Sequence, residues 1–172
     1  RLERGMLILK REQKDIGGLL AECVSNFKLQ YPERRLTLTG NGRSLNAEID
    51  PVRIYEVLSN VLDNAIKYTP HGAPIEVMFD DDADWISISV RDHGPGISPE
   101  RQHLLFSPFE RGNLREQEQH AGLGLGLYIC RKIMELHGGR ITMESTLGEG
   151  SIFTISLPKR APLAVRGGVE VA

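Results

Sequence analysis

Asn60 and Asn64 stand four residues apart in the stretch DPVRIYEVLSNVLDNAIKY, residues 50–68. If that stretch is helical, both amides lie on one stripe, with Lys67 and Tyr68 a further turn along. Asparagine is a poor helix former, so two of them facing together give up local propensity. An amide oxygen is a hard ligand suited to Mg²⁺, which takes few protein ligands and keeps water and phosphate oxygens. A lysine alongside can meet a phosphate as a point charge. The plain alternative is a solvated helix face.

A second candidate is WISISVRDHGPG, residues 85–96. Asp92 has the same alternation as Ile86, Ile88 and Val90, so it points to the side of the strand that they bury. A buried carboxylate is costly without a partner. Two readings give it one. Asp92 can cap the turn that Gly94, Pro95 and Gly96 make. Or it can accept a hydrogen bond from a ligand amine, such as the exocyclic amine of adenine, with the glycines letting the backbone approach the ligand.

The third candidate is HAGLGLGLYICRKIMELHGG, residues 120–139, where Gly122, Gly124 and Gly126 alternate with leucines just before a helical pattern. Glycine costs about 1 kcal/mol against alanine inside a helix. Bare N–H groups at a helix N-terminus bind anions, and the helix dipole adds to this. The run therefore reads as a phosphate cradle opening a helix after Gly126, with the leucines packed inward. It lacks the Walker spacing and no strand precedes it. A flexible hinge is the alternative.

The elements that must hold these residues are legible in outline. Residues 6–12 suit a short strand, and Asp15 is placed to cap a helix carrying Ile16, Leu19 or Leu20, Cys23 and Phe27 inward. Residues 35–40 and 45–50 read as strands. Asp50 and Pro51 open the helix that holds the asparagines, with Ile54, Leu58, Val61, Leu62 and Ala65 as its buried stripe. Two strands follow around an acidic turn, Asp80 to Asp84. The last helix stops at Gly138-Gly139, and a final strand pair flanks TLGEG. The mix predicts an α/β domain, a mixed sheet of about five strands covered on one face by about three helices. The tail from residue 159 has no pattern and is expected to be disordered.

In chain order, Asn60-x-x-x-Asn64, Asp92-x-Gly94-x-Gly96, Phe106-Ser-Pro-Phe109 and Gly122-x-Gly124-x-Gly126 resemble the N, G1, F and G2 boxes of the catalytic ATP-binding domain of sensor histidine kinases. That domain belongs to the superfamily shared by gyrase, Hsp90 and MutL. TLGEGSIFTISLP resembles its closing hairpin, so the likeness runs from Arg1 to about Pro158. It implies a two-layer α/β sandwich of the Bergerat type that moves the γ-phosphoryl of ATP to a histidine. Asn60 and Asn64 would hold Mg²⁺ and the phosphates, with Lys67 helping and Tyr68 against the nucleotide. Asp92 would bind the adenine amine, with Gly94, Gly96 and Ile97 beside the base. Gly122, Leu123, Gly124, Leu125 and Gly126 would line the triphosphate. Leu123 departs from the small or hydroxylated residue of many relatives, which removes a hydroxyl contact and leaves the backbone cradle. Residues 97–121 would form a mobile lid anchored by Phe106 and Phe109, and Arg111 would reach a phosphate; a loop beyond about 12–15 residues with little apolar surface suits that role. Residues 1–14 resemble the end of a dimerisation hairpin and its linker, and 15–158 the catalytic domain. The implied partners are an upstream dimerisation and phosphoacceptor domain and a response regulator receiver domain, within a homodimer.

Chemistry separates the branches of that superfamily. The ATP-hydrolysing branch carries a glutamate base where this chain has Asn60, and an amide cannot be a base. Transfer to an imidazole needs positioning and charge neutralisation more than base strength at that position. Glu56, one turn earlier, is a possible substitute base, and its plain role is solvated helix surface. A nucleotide-sensing module that binds ATP without transferring it is the other rival.

Whole-chain properties narrow the rest. A net charge of −2 gives no general attraction to nucleic acid. No apolar run is long enough to span a membrane and no secretory signal is present, so the segment is expected in the cytoplasm, with a membrane anchor possible elsewhere in a longer protein. Cys23 and Cys130 have no metal or redox spacing and read as buried thiols. The five histidines are His71, His93, His103, His120 and His137. None precedes the acidic residue, basic residue and proline of the family's acceptor box, and His137 is placed to complement a helix dipole. The acceptor is therefore expected upstream. Incubated alone with Mg-ATP, the chain should gain no acid-labile phosphate on any of its histidines, and it should label an added dimerisation domain of its own protein. Labelled histidine within this chain would contradict that.

Overall fold

The computed structural model describes residues 2–3, 6–40, 44–107 and 123–160. In chain order the first elements are β1 (Leu2–Glu3), β2 (Met6–Leu7), β3 (Glu12–Asp15), α1 (Ile16–Gln30), β4 (Arg35–Gly40), β5 (Asn46–Ile49) and α2 (Pro51–Tyr68). Then come β6 (Pro74–Asp81), β7 (Trp85–Asp92), the short α3 (Pro99–Gln102), α4 (Leu123–Leu136), β8 (Arg140–Thr146) and β9 (Gly150–Pro158).

Five strands form one sheet in the order β4-β6-β7-β9-β8. β4 pairs with β6 in parallel and the other neighbours are antiparallel, so the sheet is mixed, as expected. Period-two alternation gives it one apolar face. Ile75, Val77 and Phe79 of β6, Ile86, Ile88 and Val90 of β7, and Phe153, Ile155 and Leu157 of β9 are buried. Register stacks them in rows, Val77–Val90–Phe153 and Phe79–Ile88–Ile155. Three helices supply the other layer of the core. α1 buries Ile16, Leu19, Leu20, Cys23, Val24 and Phe27, and α2 buries Ile54, Val57, Leu58, Val61, Leu62 and Ala65. Leu127, Cys130, Ile133 and Met134 come from α4. Removing one such leucine or isoleucine side chain costs about 2–5 kcal/mol. The two thiols are indeed buried, and burial pushes Cys130 up to about 12, which leaves it unreactive.

The caps that the sequence predicts form. Asp15 accepts from Gly17 N at 3.2 Å, and Asp50 accepts from Arg53 N at 3.2 Å with Pro51 in the first turn of α2. The acidic turn is narrower than residues 80–84. β6 runs to Asp81, and the Asp82 carboxylate accepts from Asp84 N and Trp85 N, both at 2.8 Å.

Four expectations need correction. Residues 6–12 are not one strand. β2 pairs with β1 and β3 pairs with β5, because between them the Lys10 N–H donates to Asp50 Oδ2 at 2.8 Å and the Arg11 guanidinium donates to Leu136 O. The last helix begins at Leu123 rather than after Gly126, so two of the glycines lie within its first turn. Lys159 is no tail residue: its N–H donates to Asp84 O at 2.8 Å and its ammonium pairs with Asp81 at 2.6 Å. The expected disorder of residues 161–172 falls outside the described residues.

The fourth correction concerns His137, which does not act as a helix-end cation. It is 3% exposed. Its Nε2 accepts from Asp50 N at 3.0 Å, so Nδ1 carries the proton and donates to Ile133 O at 2.7 Å. Burial drives its pKa below the ordinary 6.5; the hydrogen bond to Ile133 O opposes this, the Arg11 charge adds to it, and Asp50 opposes it least. The unfolded chain takes up a proton near pH 6.5 and the folded chain only below it. This contribution to stability is thus present above that pH and is lost as the pH falls through it. Urea unfolding should show the wild-type chain losing stability between pH 7 and 5. His137→Gln should be about 1–3 kcal/mol weaker at pH 7 and flatter across that window. Parallel pH profiles would contradict the neutral, buried role.

Candidate functional site

The C-terminal half of α2, the loop after β7, α3 and the start of β9 line an open cleft. Pro95, Ile97, Leu105 and Phe153 give it apolar walls, and Asn64, Tyr68, Asp92, Arg101 and Ser151 add polar groups. Few polar groups among flat apolar surfaces are what a planar, partly polar ring needs.

Asp92 ends β7 on the buried face, as its parity predicts, and is 6% exposed. The turn-capping reading offered for it holds. Its Oδ1 accepts from Gly94 N at 2.9 Å, which caps the turn, and from Ser151 N at 3.2 Å, which ties in β9. Both donors fall on one oxygen, so the other is left as the acceptor that the cleft can use. Burial raises the pKa of this carboxyl, and the two backbone N–H groups and His93 oppose the rise.

The glycines beside it serve the chain's own backbone before any ligand. A methyl group on Gly94 would sit 2.6 Å from Tyr68 O, and one on Gly96 would sit 2.1 Å from Thr146 O. Gly96 also has φ +71°, where glycine is favoured. The loop is thus pressed between the end of α2 and the β8–β9 hairpin. Gly148 N donates to Pro95 O at 2.7 Å and Ile97 N donates to Ser145 Oγ at 2.8 Å. Of the pair expected beside the base, Gly96 lines the cleft and Gly94 is absent from its lining.

Gly126 has a comparable steric reason. A methyl group there would stand 2.7 Å from Oδ1 and 2.8 Å from Nδ2 of Asn60. The first turn of α4 therefore lies directly on one of the two asparagines of α2. Asn64, one turn on, lines the cleft at 5% exposure, and its Nδ2 has no hydrogen-bond partner among the described residues. An orphaned buried donor is costly, and it marks a place for a ligand or water oxygen. Tyr68 lines the cleft below it, its pKa raised by burial.

Lys67 does not join them. Its ammonium sits 2.7 Å from Asp63 on the outer side of α2, half exposed, and that carboxylate holds its pKa up. Glu56 is likewise engaged, accepting from Arg53 at 2.7 Å. Phe106 packs on the core and Leu105 is buried, so the start of the expected lid is anchored. Phe109, Arg111 and Gly122 lie outside the described residues, as does the rest of the lid. Leu123, Gly124 and Leu125 are placed in α4 by their backbone only.

Arg101, Leu105, Ser151 and Phe153 are site residues that sequence reasoning missed. Ser151 and Phe153 share the parity of Ile155 and Leu157, and that alternation points them to the face of Asp92. Nothing in the local pattern marked Arg101.

Comparison with known proteins identifies the family and supports the fold. Residues 49–161 match the family described as histidine kinase-, DNA gyrase B-, and HSP90-like ATPase. The chain is 33% identical over 162 residues to the sensor protein SrrB of Staphylococcus aureus, covering 92% of this chain and 27% of that one. It therefore spans about a quarter of that relative's length. Among solved structures, the catalytic domain of histidine kinase ThkA superposes with a TM-score of 0.76 at 30% identity, covering 88% of this chain and 99% of that one. A mycobacterial sensor histidine kinase, MprB, superposes at 0.74 with 25% identity, covering 88% and 99%.

The Asn60–Gly126 contact separates stability from ligand binding. Alanine at position 126 gains about 1 kcal/mol of helix propensity, and the Asn60 amide must swing away to admit it. Gly126→Ala should leave the unfolding midpoint near that of the wild-type chain while lowering affinity for Mg-ATP about tenfold. Unchanged affinity, measured by calorimetry, would show that Asn60 takes no part.

Proposed function

The chain belongs to the histidine kinase-, DNA gyrase B-, and HSP90-like ATPases, and from that premise we propose that it is the catalytic part of a sensor histidine kinase. In this reading it moves the γ-phosphoryl of Mg-ATP to a histidine on a dimerisation domain of its own protein. A response regulator receiver domain then takes the phosphoryl group. One solved relative, ThkA, is seen in complex with the response regulator protein TrrA, at a TM-score of 0.72 and 30% identity over 88% of this chain.

The observation that carries the reading is Asp92. A buried carboxylate with one oxygen consumed by Gly94 N and Ser151 N turns its other oxygen to an apolar-walled cleft. Such a group selects a ligand that offers an N–H, as the adenine amine does. Ile97, Leu105 and Phe153 would flank the ring and exclude water.

Asn60 and Asn64 would face the phosphates. The donor set suits Mg²⁺. Two amides lie one helical turn apart, so their oxygens would serve the ion while the partnerless Asn64 amide nitrogen would donate to a phosphate oxygen, and no cluster of three His, Cys, Asp or Glu stands among the described residues. That ion is held through one or two protein groups plus phosphate and water, so a sparse set fits. When bound, it neutralises phosphate charge during transfer. The backbone N–H groups at the start of α4 would add to this from the helix N-terminus.

Among the described residues of α2, no free carboxylate stands ready to activate water, which favours transfer over hydrolysis. Asn60 is an amide, and the Glu56 carboxylate is held by Arg53. Among the described residues, no helix is long and apolar enough to cross a membrane.

Asp92→Asn tests the reading cleanly. The substitution keeps an acceptor oxygen for the two backbone N–H groups and replaces the other with a donor. ATP affinity should fall at least about tenfold, matching 1.5–3 kcal/mol for a charged hydrogen bond, with the fold retained. Transfer of label from ATP to the dimerisation domain should fall with it. Unchanged affinity would confine Asp92 to the turn, and steady ATP hydrolysis by the wild-type chain would assign it to the ATPase branch.

A further inference from the structure

We propose that Arg101 is the side chain that reads the polyphosphate charge of the nucleotide, an assignment that rests on the nucleotide reading above. Among the described residues, the cleft lining contains one carboxylate, Asp92, and one cation, Arg101. A carboxylate with no counterweight would repel a polyanionic ligand, so a cation in the same wall is what a nucleotide site requires.

Within the cleft lining Arg101 is the cation, and its charge is uncommitted among the described residues. Lys67 is held by Asp63, Arg53 by Glu56, Arg131 and Lys132 by Glu135, and Lys159 by Asp81. The buried Arg34 spends its guanidinium on Ile66 O and Thr69 O at the end of α2. Arg101 has an exposed side chain with no ion pair or hydrogen bond among the described residues.

Its backbone is nonetheless well fixed. Arg101 N donates to Ser98 O at 2.9 Å. The next residue, Gln102, donates from Nε2 to Ile97 O at 2.7 Å and to Ser145 O at 3.2 Å, which pins α3 to the loop and the hairpin. Leu105 then anchors the following turn in the core. A long, forked side chain on a fixed base is suited to closing on a phosphate with two parallel hydrogen bonds. The charge also reaches across the cleft. Burial raises the Tyr68 pKa, and Lys67 and then Arg101 pull against that rise.

Calorimetry with adenosine, ADP and ATP separates this role from others. Arg101→Ala should weaken ADP and ATP about tenfold and leave adenosine within about twofold. Arg101→Lys, which keeps the charge and loses the fork, should fall between. Arg131→Ala removes a cation from the outer side of α4 and should change none of the three. Equal losses for all three ligands would mean that Arg101 stacks on the base, and that overturns the proposal, as does an ATP affinity unmoved by Arg101→Ala. A wild-type chain that binds none of the three removes the nucleotide reading itself, and the Arg101 assignment with it. Wild-type binding with no effect of Arg101→Ala removes the assignment alone.

Discussion

One carboxylate oxygen organises the cleft. Oδ1 of Asp92 receives Gly94 N and Ser151 N, so the loop after β7 and the first turn of β9 meet on a single atom. Burying that charge costs several kcal/mol without compensation, and the two N–H donors supply it. The apolar face of the sheet leads up to this point, and the rows Val77–Val90–Phe153 and Phe79–Ile88–Ile155 fix the register that sets Asp92 opposite Ser151. A slip of one residue would turn Asp92 to the other face and dissolve the site. The core thus holds the register, and the register holds the carboxylate.

Around that atom the chain is built by close approach of backbone to backbone. Gly94 abuts Tyr68 O, Gly96 abuts Thr146 O and Gly150 abuts Asp92 O. Each lacks a side chain because another strand or helix end occupies the space. The ladder of contacts joins α2, the loop, β8 and β9, which between them line most of the cleft. Gly126 extends the same logic to α4, where Asn60 fills the place of a methyl group. Gly94, Gly96, Gly126 and Gly150 are therefore packing devices first, and any service to a ligand is added to that constraint.

Local signals in the chain were enough for local structure. Asp15, Asp50 and Pro51 mark helix starts because a cap needs only its own next few residues, and they form as expected. Strand parity placed Asp92 inward because alternation is a property of one strand. What escaped is long-range. His137 was read as a helix-end cation, because nothing near it in sequence shows that Asp50, 87 positions away, will offer it an N–H. Lys67 shares a stripe with Asn64 on a helical wheel, yet Asp63 lies one turn back on the outer side and captures it. Arg101 came to light through the cleft it borders and not through a pattern. Gly126 fell inside α4 instead of before it because the residue it packs on, Asn60 of α2, is distant in the chain.

Helix α2, which lines the cleft, and helix α4, which packs on it, are fastened at the start of one and the end of the other by one short segment. Lys10 N binds the Asp50 carboxylate at the start of α2, and Arg11 reaches Leu136 O at the end of α4. His137 then joins those two ends to each other. Mechanically this is a pair of levers with a common handle. α2 has 18 residues and so is about 27 Å long, and a tilt of about 3° at its handle moves its far end by about 1.4 Å. A displacement of about 1 Å in a positioning group is enough to change a rate a hundredfold. Residues 10 and 11 thus bind both helices at once, and a shift of that segment would act on α2 and α4 together.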